Sequence, residues 1–137
     1  MGVRELIADD GVFIIEVYYL KELLEKNLFD TIYHEHLSYF TLKTMSMLME
    51  RMGMEVFDAD KTDTHGGSLR VFIQKKNGPR KRADNVKIFL NEEEKKNLRD
   101  ALKIKVSKYI KDYITDLKKG EYDSLLVYKK AIRKGVE

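Results

Sequence analysis

Two runs of β-branched and apolar residues, each joined to a stretch where leucine or methionine recurs every three or four positions, constrain this chain more than any other feature. Val12 to Val17 reads as a strand, and its continuous apolar character suits one covered on both faces, as in a parallel sheet. Tyr18 to Leu28 follows as a helix with Leu20, Leu23, Leu24 and Leu28 on one side. Thr41 is placed to cap a second helix over 41–52, whose buried face is Leu42, Met45, Met49 and Met52, and Gly53 is placed to stop it. Strands over 54–59 and 68–75 come next, the latter with Leu69, Val71 and Ile73 on one face. This alternation predicts an α/β chain with a small, partly parallel sheet.

Residues 3–9 read as the tail of a helix punctuated by Asp10-Gly11. Residues 76–90 hold the only proline, in Asn77-Gly78-Pro79-Arg80-Lys81-Arg82, and read as a basic linker. The expected division is therefore 1–75, a linker over 76–90, and a helical segment over 91–137. Asn91 with Glu94 resembles a capping box. The long helix it would open carries an apolar stripe of Leu98, Leu102, Val106, Tyr109, Tyr113 and Leu117, and a further helix is expected over 121–134. Something must cover that stripe. One reading folds it back on the chain's own sheet; the other packs it on a second copy, which makes a homo-oligomer the expected state.

A length of 137 residues suits one modest domain. With no cysteine, disulfides, thiolate catalysis and cysteine-ligated iron–sulfur clusters are excluded. No apolar run nears the roughly 20 residues that span a bilayer, and no secretory segment opens the sequence, so a cytoplasmic chain is expected. Residues 1–74 carry a net charge of −6, residues 75–90 of +5 and residues 91–137 of +4. The resulting +3 offers little to a polyanion, and no nucleic-acid motif accompanies it.

The chemistry-bearing residues lie in two segments. Tyr33-His34-Glu35-His36 sets a carboxylate between two imidazoles, and Thr64-His65-Gly66-Gly67-Ser68 sets a histidine before a flexible turn. Histidine is the usual general base near neutral pH, and a neighbouring carboxylate can fix its tautomer. Tyr33 and Tyr39 can donate hydrogen bonds to a developing oxyanion. Gly66-Gly67 lets backbone approach a ligand closely, and Ser68 adds a hydroxyl. Paired histidines are also common as structural residues. The His-Glu-x-x-His zinc spacing is absent, so no metal is expected.

Three stretches carry a resemblance to a known family. They are Gly11-Val12-Phe13-Ile14-Ile15-Glu16-Val17, then Phe29 to Phe40 with Tyr33-His34-Glu35-His36 at its centre, then Thr64-His65-Gly66-Gly67-Ser68-Leu69-Arg70-Val71. In this order they resemble the later part of the sugar C-methyltransferases, which use S-adenosylmethionine to methylate a carbon of a nucleotide-linked keto sugar. The resemblance implies the later part of a Rossmann-like methyltransferase sheet over 1–75, followed by the linker and the start of a C-terminal domain. It implies His36 as the base that removes the proton beside the ketone, with Glu35 and Tyr33 orienting the base or the sugar. His34, Tyr39, His65, Gly66, Gly67 and Ser68 would border the substrate.

The family's cysteine-rich zinc-binding domain and the glycine-rich loop that holds the cofactor have no counterpart in these residues, and no G-x-G-x-x-G occurs. The expectation is a chain that binds adenosylmethionine weakly or not at all and is inactive alone. A separately encoded N-terminal half is then an expected partner. The competing expectation is a non-enzymatic assembly or interaction module, resting on the long striped helix.

Overall fold

A computed structural model describes residues 2–28, 38–98, 101 and 108, with His65 described through its backbone alone. The elements in chain order are α1 (Val3–Leu6), β1 (Phe13–Tyr18), α2 (Leu20–Lys26), α3 (Leu42–Arg51), β2 (Met54–Thr62), a 3-10 turn (Thr64–Gly66), β3 (Ser68–Lys75) and α4 (Asp84–Lys95). The α/β class is as expected, but the sheet is not partly parallel. Its order is β1-β3-β2, and β3 runs antiparallel to both neighbours. β1 and β2 therefore point the same way, one strand apart, and β3 fills the gap by returning from β2 through a tight turn. Side-chain patterns along β1 and β2 carry no record of which strand lies between them, which is why the sequence suggested a parallel pair.

One face of this sheet makes the core. Leu69, Val71 and Ile73 of β3 are fully buried between Met54, Val56 and Ala59 of β2 and the half-buried Phe13, Ile15 and Val17 of β1. Leu42, Met45 and Met49 of α3 and Val86, Phe89 and Leu90 of α4 cover them. Each fully buried side chain of this kind contributes about 1.5–3 kcal/mol. Met52, expected on the buried face of α3, is instead 54% exposed, because the helix ends at Arg51 and Gly53 takes a φ of 69° to turn the chain into β2. β1 is likewise not covered on both faces: Ile14 is 53% exposed and Glu16 faces outward beside Arg70.

The capping of α3 follows the sequence. Thr41 Oγ1 accepts from Thr44 N at 3.1 Å, and Thr44 Oγ1 accepts from Thr41 N at 3.0 Å. The helix expected from Tyr18 starts later, at Leu20. Tyr18 closes β1, and Tyr19 is spent on a bridge to Phe40.

The expected linker over 76–90 is corrected by the structure, since α4 begins at Asp84. The residues before it are tied to the sheet. Buried Gln74 donates to the Arg80 carbonyl at 2.9 Å and accepts from Arg80 N at 3.0 Å. The pairing of β2 with β3 skips at Phe57, whose carbonyl accepts from Ala83 N at 2.7 Å while the Arg80 guanidinium lies 5.6 Å from its ring centre. The capping box expected at Asn91 falls inside α4. The long helix expected over 91–119 is interrupted at Lys96-Asn97, with Asn97 at φ 42°. Leu98 is buried against Leu23 and Leu24 of α2. The rest of the stripe (Leu102, Val106, Tyr109, Tyr113 and Leu117) and the helix expected over 121–134 lie outside the described residues.

Candidate functional site

The backbone from Tyr18 to Leu20, at the carboxyl end of β1, bonds both to the glycine turn and to Phe40. Tyr19 N donates to the Gly67 carbonyl at 3.4 Å, which ties down the glycine turn. Phe40 N donates to the Tyr18 carbonyl at 3.3 Å, and Leu20 N donates to the Phe40 carbonyl at 2.9 Å. These two bonds hold the return of the segment that carries Tyr33-His34-Glu35-His36. Tyr39 lies against Tyr18, with ring centres 6.2 Å apart. Tyr33, His34, Glu35 and His36 themselves lie outside the described residues, as does the side chain of His65.

The glycine turn is shaped by contacts that admit no side chain. At Gly66 φ is 85°, and a Cβ there would lie 2.9 Å from Leu28 Cδ1. At Gly67 φ is 143°, and a Cβ would lie 2.7 Å from Glu22 Cβ. Both angles are ones that L side chains rarely adopt. Ser68 is buried and donates its hydroxyl to the Thr64 carbonyl at 3.1 Å, so it closes the turn.

Beneath the turn is a polar cluster that the sequence reading did not find. Glu22 is 2% exposed yet charged. Lys26 Nζ lies 2.8 Å from Glu22 Oε2, and Lys61 Nζ donates to Glu22 Oε1 at 3.1 Å. Burial works to raise the Glu22 carboxyl. The ammonium groups of Lys26 and Lys61 outweigh it and hold the group below the usual glutamate range. Lys26 also donates to the Gly66 carbonyl at 2.6 Å. The available signal was the four-residue spacing of Glu22 and Lys26 among the leucines of α2.

On the opposite side of β1, Arg70 Nε and Nη2 donate to Glu16 Oε2 at 3.0 and 2.8 Å, and Thr62 donates to Glu16 Oε1 at 3.1 Å. The hydrogen bond from Arg70, with help from Thr64 and Thr62, holds the Glu16 carboxyl below its ordinary range. These contacts brace the strand ends that flank the turn.

α4 reaches the same region from its far end. The buried Glu93 carboxylate accepts from Leu42 N at 2.5 Å and from Lys43 N at 3.0 Å, satisfying two free donors at the start of α3. Lys21 Nζ donates to Glu92 at 2.8 Å, and Lys96 pairs with Glu25, so α4 is clamped to α2 as well. Burial, then the Glu93 charge nearby, keeps the Tyr19 phenol protonated far above the ordinary tyrosine range.

At the start of α2, Tyr19 N donates to the Gly67 carbonyl and Leu20 N to the Phe40 carbonyl. Ser68 leads into a strand rather than a helix. Among the described residues no cluster of three or more histidine, aspartate or glutamate side chains could hold a metal ion, and no helix is long and apolar enough to cross a membrane.

Comparison with known proteins places these residues in context. Residues 63–133, which take in the glycine turn, β3 and α4, match the family model of the C-methyltransferase C-terminal domain. Over 71 residues the chain is 54% identical to the C-methyltransferase NovU of Streptomyces niveus, a match covering 52% of this chain and 17% of that protein. With the family model spanning more than half of its length, the chain belongs to the C-methyltransferase family.

Proposed function

We propose that this chain supplies the proton-abstracting side of a C-methyltransferase that acts on a nucleotide-linked keto sugar. The observation that carries the reading is the junction at Tyr18–Leu20, which anchors the glycine turn and Phe40, four residues after His36 in the sequence, by backbone hydrogen bonds. The reading is supported by the nearness of Gly67 and Phe40 to one another across this junction, since each adjoins a histidine-bearing stretch of the sequence.

A carbon becomes nucleophilic when a base removes the proton beside a ketone. His36 is that base in this reading, with Glu35 orienting its imidazole and Tyr33 donating to the enolate oxygen. His34, Tyr39, His65 and the Gly66-Gly67-Ser68 turn border the sugar and its nucleotide. S-adenosylmethionine is the methyl donor of the complete enzyme, and in this reading residues outside this chain hold it, because the glycine turn leads into a strand rather than a helix.

Calorimetric titration of the 137-residue chain with adenosylmethionine tests this division of labour. Weak or absent binding is expected, and so is no methyl transfer by the chain alone. Tight, stoichiometric binding would overturn the division.

A further inference from the structure

We propose that Lys26 is the positioning residue of the glycine turn, strapping Gly66 to α2 through one ammonium group shared with Glu22. The inference rests on the reading that this turn borders the substrate. Glu22 and Lys26 stand four residues apart on α2, and the turn lies across them. Gly67 packs on the Glu22 stem, and Gly66 packs on Leu28, where the segment carrying His34 and His36 departs. Van der Waals contact of this kind resists compression but not withdrawal. The directional hold comes from Lys26, whose Nζ is 2.6 Å from the Gly66 carbonyl and 2.8 Å from Glu22 Oε2.

Charge-assisted bonds are about twice as strong as neutral ones. The Glu22 end is buried while Lys26 is 45% exposed, so solvent screens the pair in part. Lys61 grips the other oxygen of Glu22 from β2, so Glu22 keeps a counter-charge when Lys26 is removed. The two lysines thus differ in one respect: Lys61 fixes the carboxylate, whereas Lys26 carries the hold onward to the turn.

Amide hydrogen exchange on the 15N-labelled 137-residue chain tests this. Gly66 N and Gly67 N are bonded within the turn, to Asp63 O at 3.3 Å and Thr64 O at 3.0 Å, so their exchange reports its opening. Lys26→Met is expected to speed exchange at both by roughly tenfold or more. Lys26→Arg, which can donate to both acceptors, should restore the slow rate. Lys61→Met should leave it within about threefold, with Val71 in β3 unchanged throughout. Unchanged exchange in Lys26→Met, or equal loosening in Lys61→Met, overturns the strap. A titration with a nucleotide-linked keto sugar, made on this chain assembled with the part of the enzyme that completes the substrate site, tests the two readings apart, since the Gly66 and Gly67 resonances should shift. If the exchange results hold but those resonances stay fixed, the strap stands and the turn's place at the substrate is overturned.

Discussion

Gly67 shows how much a single position can demand. Its φ of 143° and the 2.7 Å approach of a Cβ to Glu22 Cβ mean that any side chain must displace the turn or α2. Gly67→Ala is therefore expected to destabilise the chain by about 1–3 kcal/mol. Gly2→Ala, which meets nothing within 4 Å, should stay within about 0.5 kcal/mol. Urea denaturation of the two variants beside the parent checks both. The pair Gly66-Gly67 was legible in the sequence as a place for close approach. What it approaches was not, because Glu22 lies 45 residues earlier and only the folded chain seats the turn on it. A glutamate in a leucine-rich helix reads as its solvent face; here two lysines, one on the helix and one on β2, make its burial tolerable.

At the scale of elements, local signals were read well and distant ones poorly. The Thr41 cap and the stop at Gly53 bracket α3 as the sequence suggested, because both act within a few residues. The start of α4 was missed by eight residues, since Asn91 looked like a cap while Ala83, the true N-cap, has no capping side chain. What holds Ala83 is the Phe57 carbonyl at a bulge in β2, a contact no local pattern announces. Glu93 makes the reverse connection, from α4 to the first amides of α3. Glu93→Ala leaves the Leu42 and Lys43 donors without their acceptor and should cost about 1–3 kcal/mol in urea denaturation. Glu93→Gln, which keeps one acceptor oxygen, should cost less.

Among the described residues, a three-stranded sheet with one covered face leaves apolar surface over. Ile14 on β1, Met47, Leu48 and Met52 on or beside α3, and Ile88 on α4 are all exposed. β1 pairs on one side only among the described residues. Open edges and apolar surface of this kind favour association, and we propose that the chain forms a homodimer or larger assembly. Light scattering over a wide concentration range should return a mass well above 16.1 kDa, and a constant 16.1 kDa particle contradicts the proposal.

In the proposed function, this chain removes the proton beside the ketone. Deuterium uptake at that carbon measures the step directly, with no methyl donor present. The chain, assembled with the part of the enzyme that completes the substrate site, would be incubated with a nucleotide-linked keto sugar in D2O and followed by proton NMR. Uptake is expected, and it should fall by about 10²–10⁴-fold in His36→Ala. Tyr33→Phe, which removes one donor and keeps the ring, should cost less. Uptake unchanged in His36→Ala but lost in His34→Ala or His65→Ala would contradict the assignment of the base.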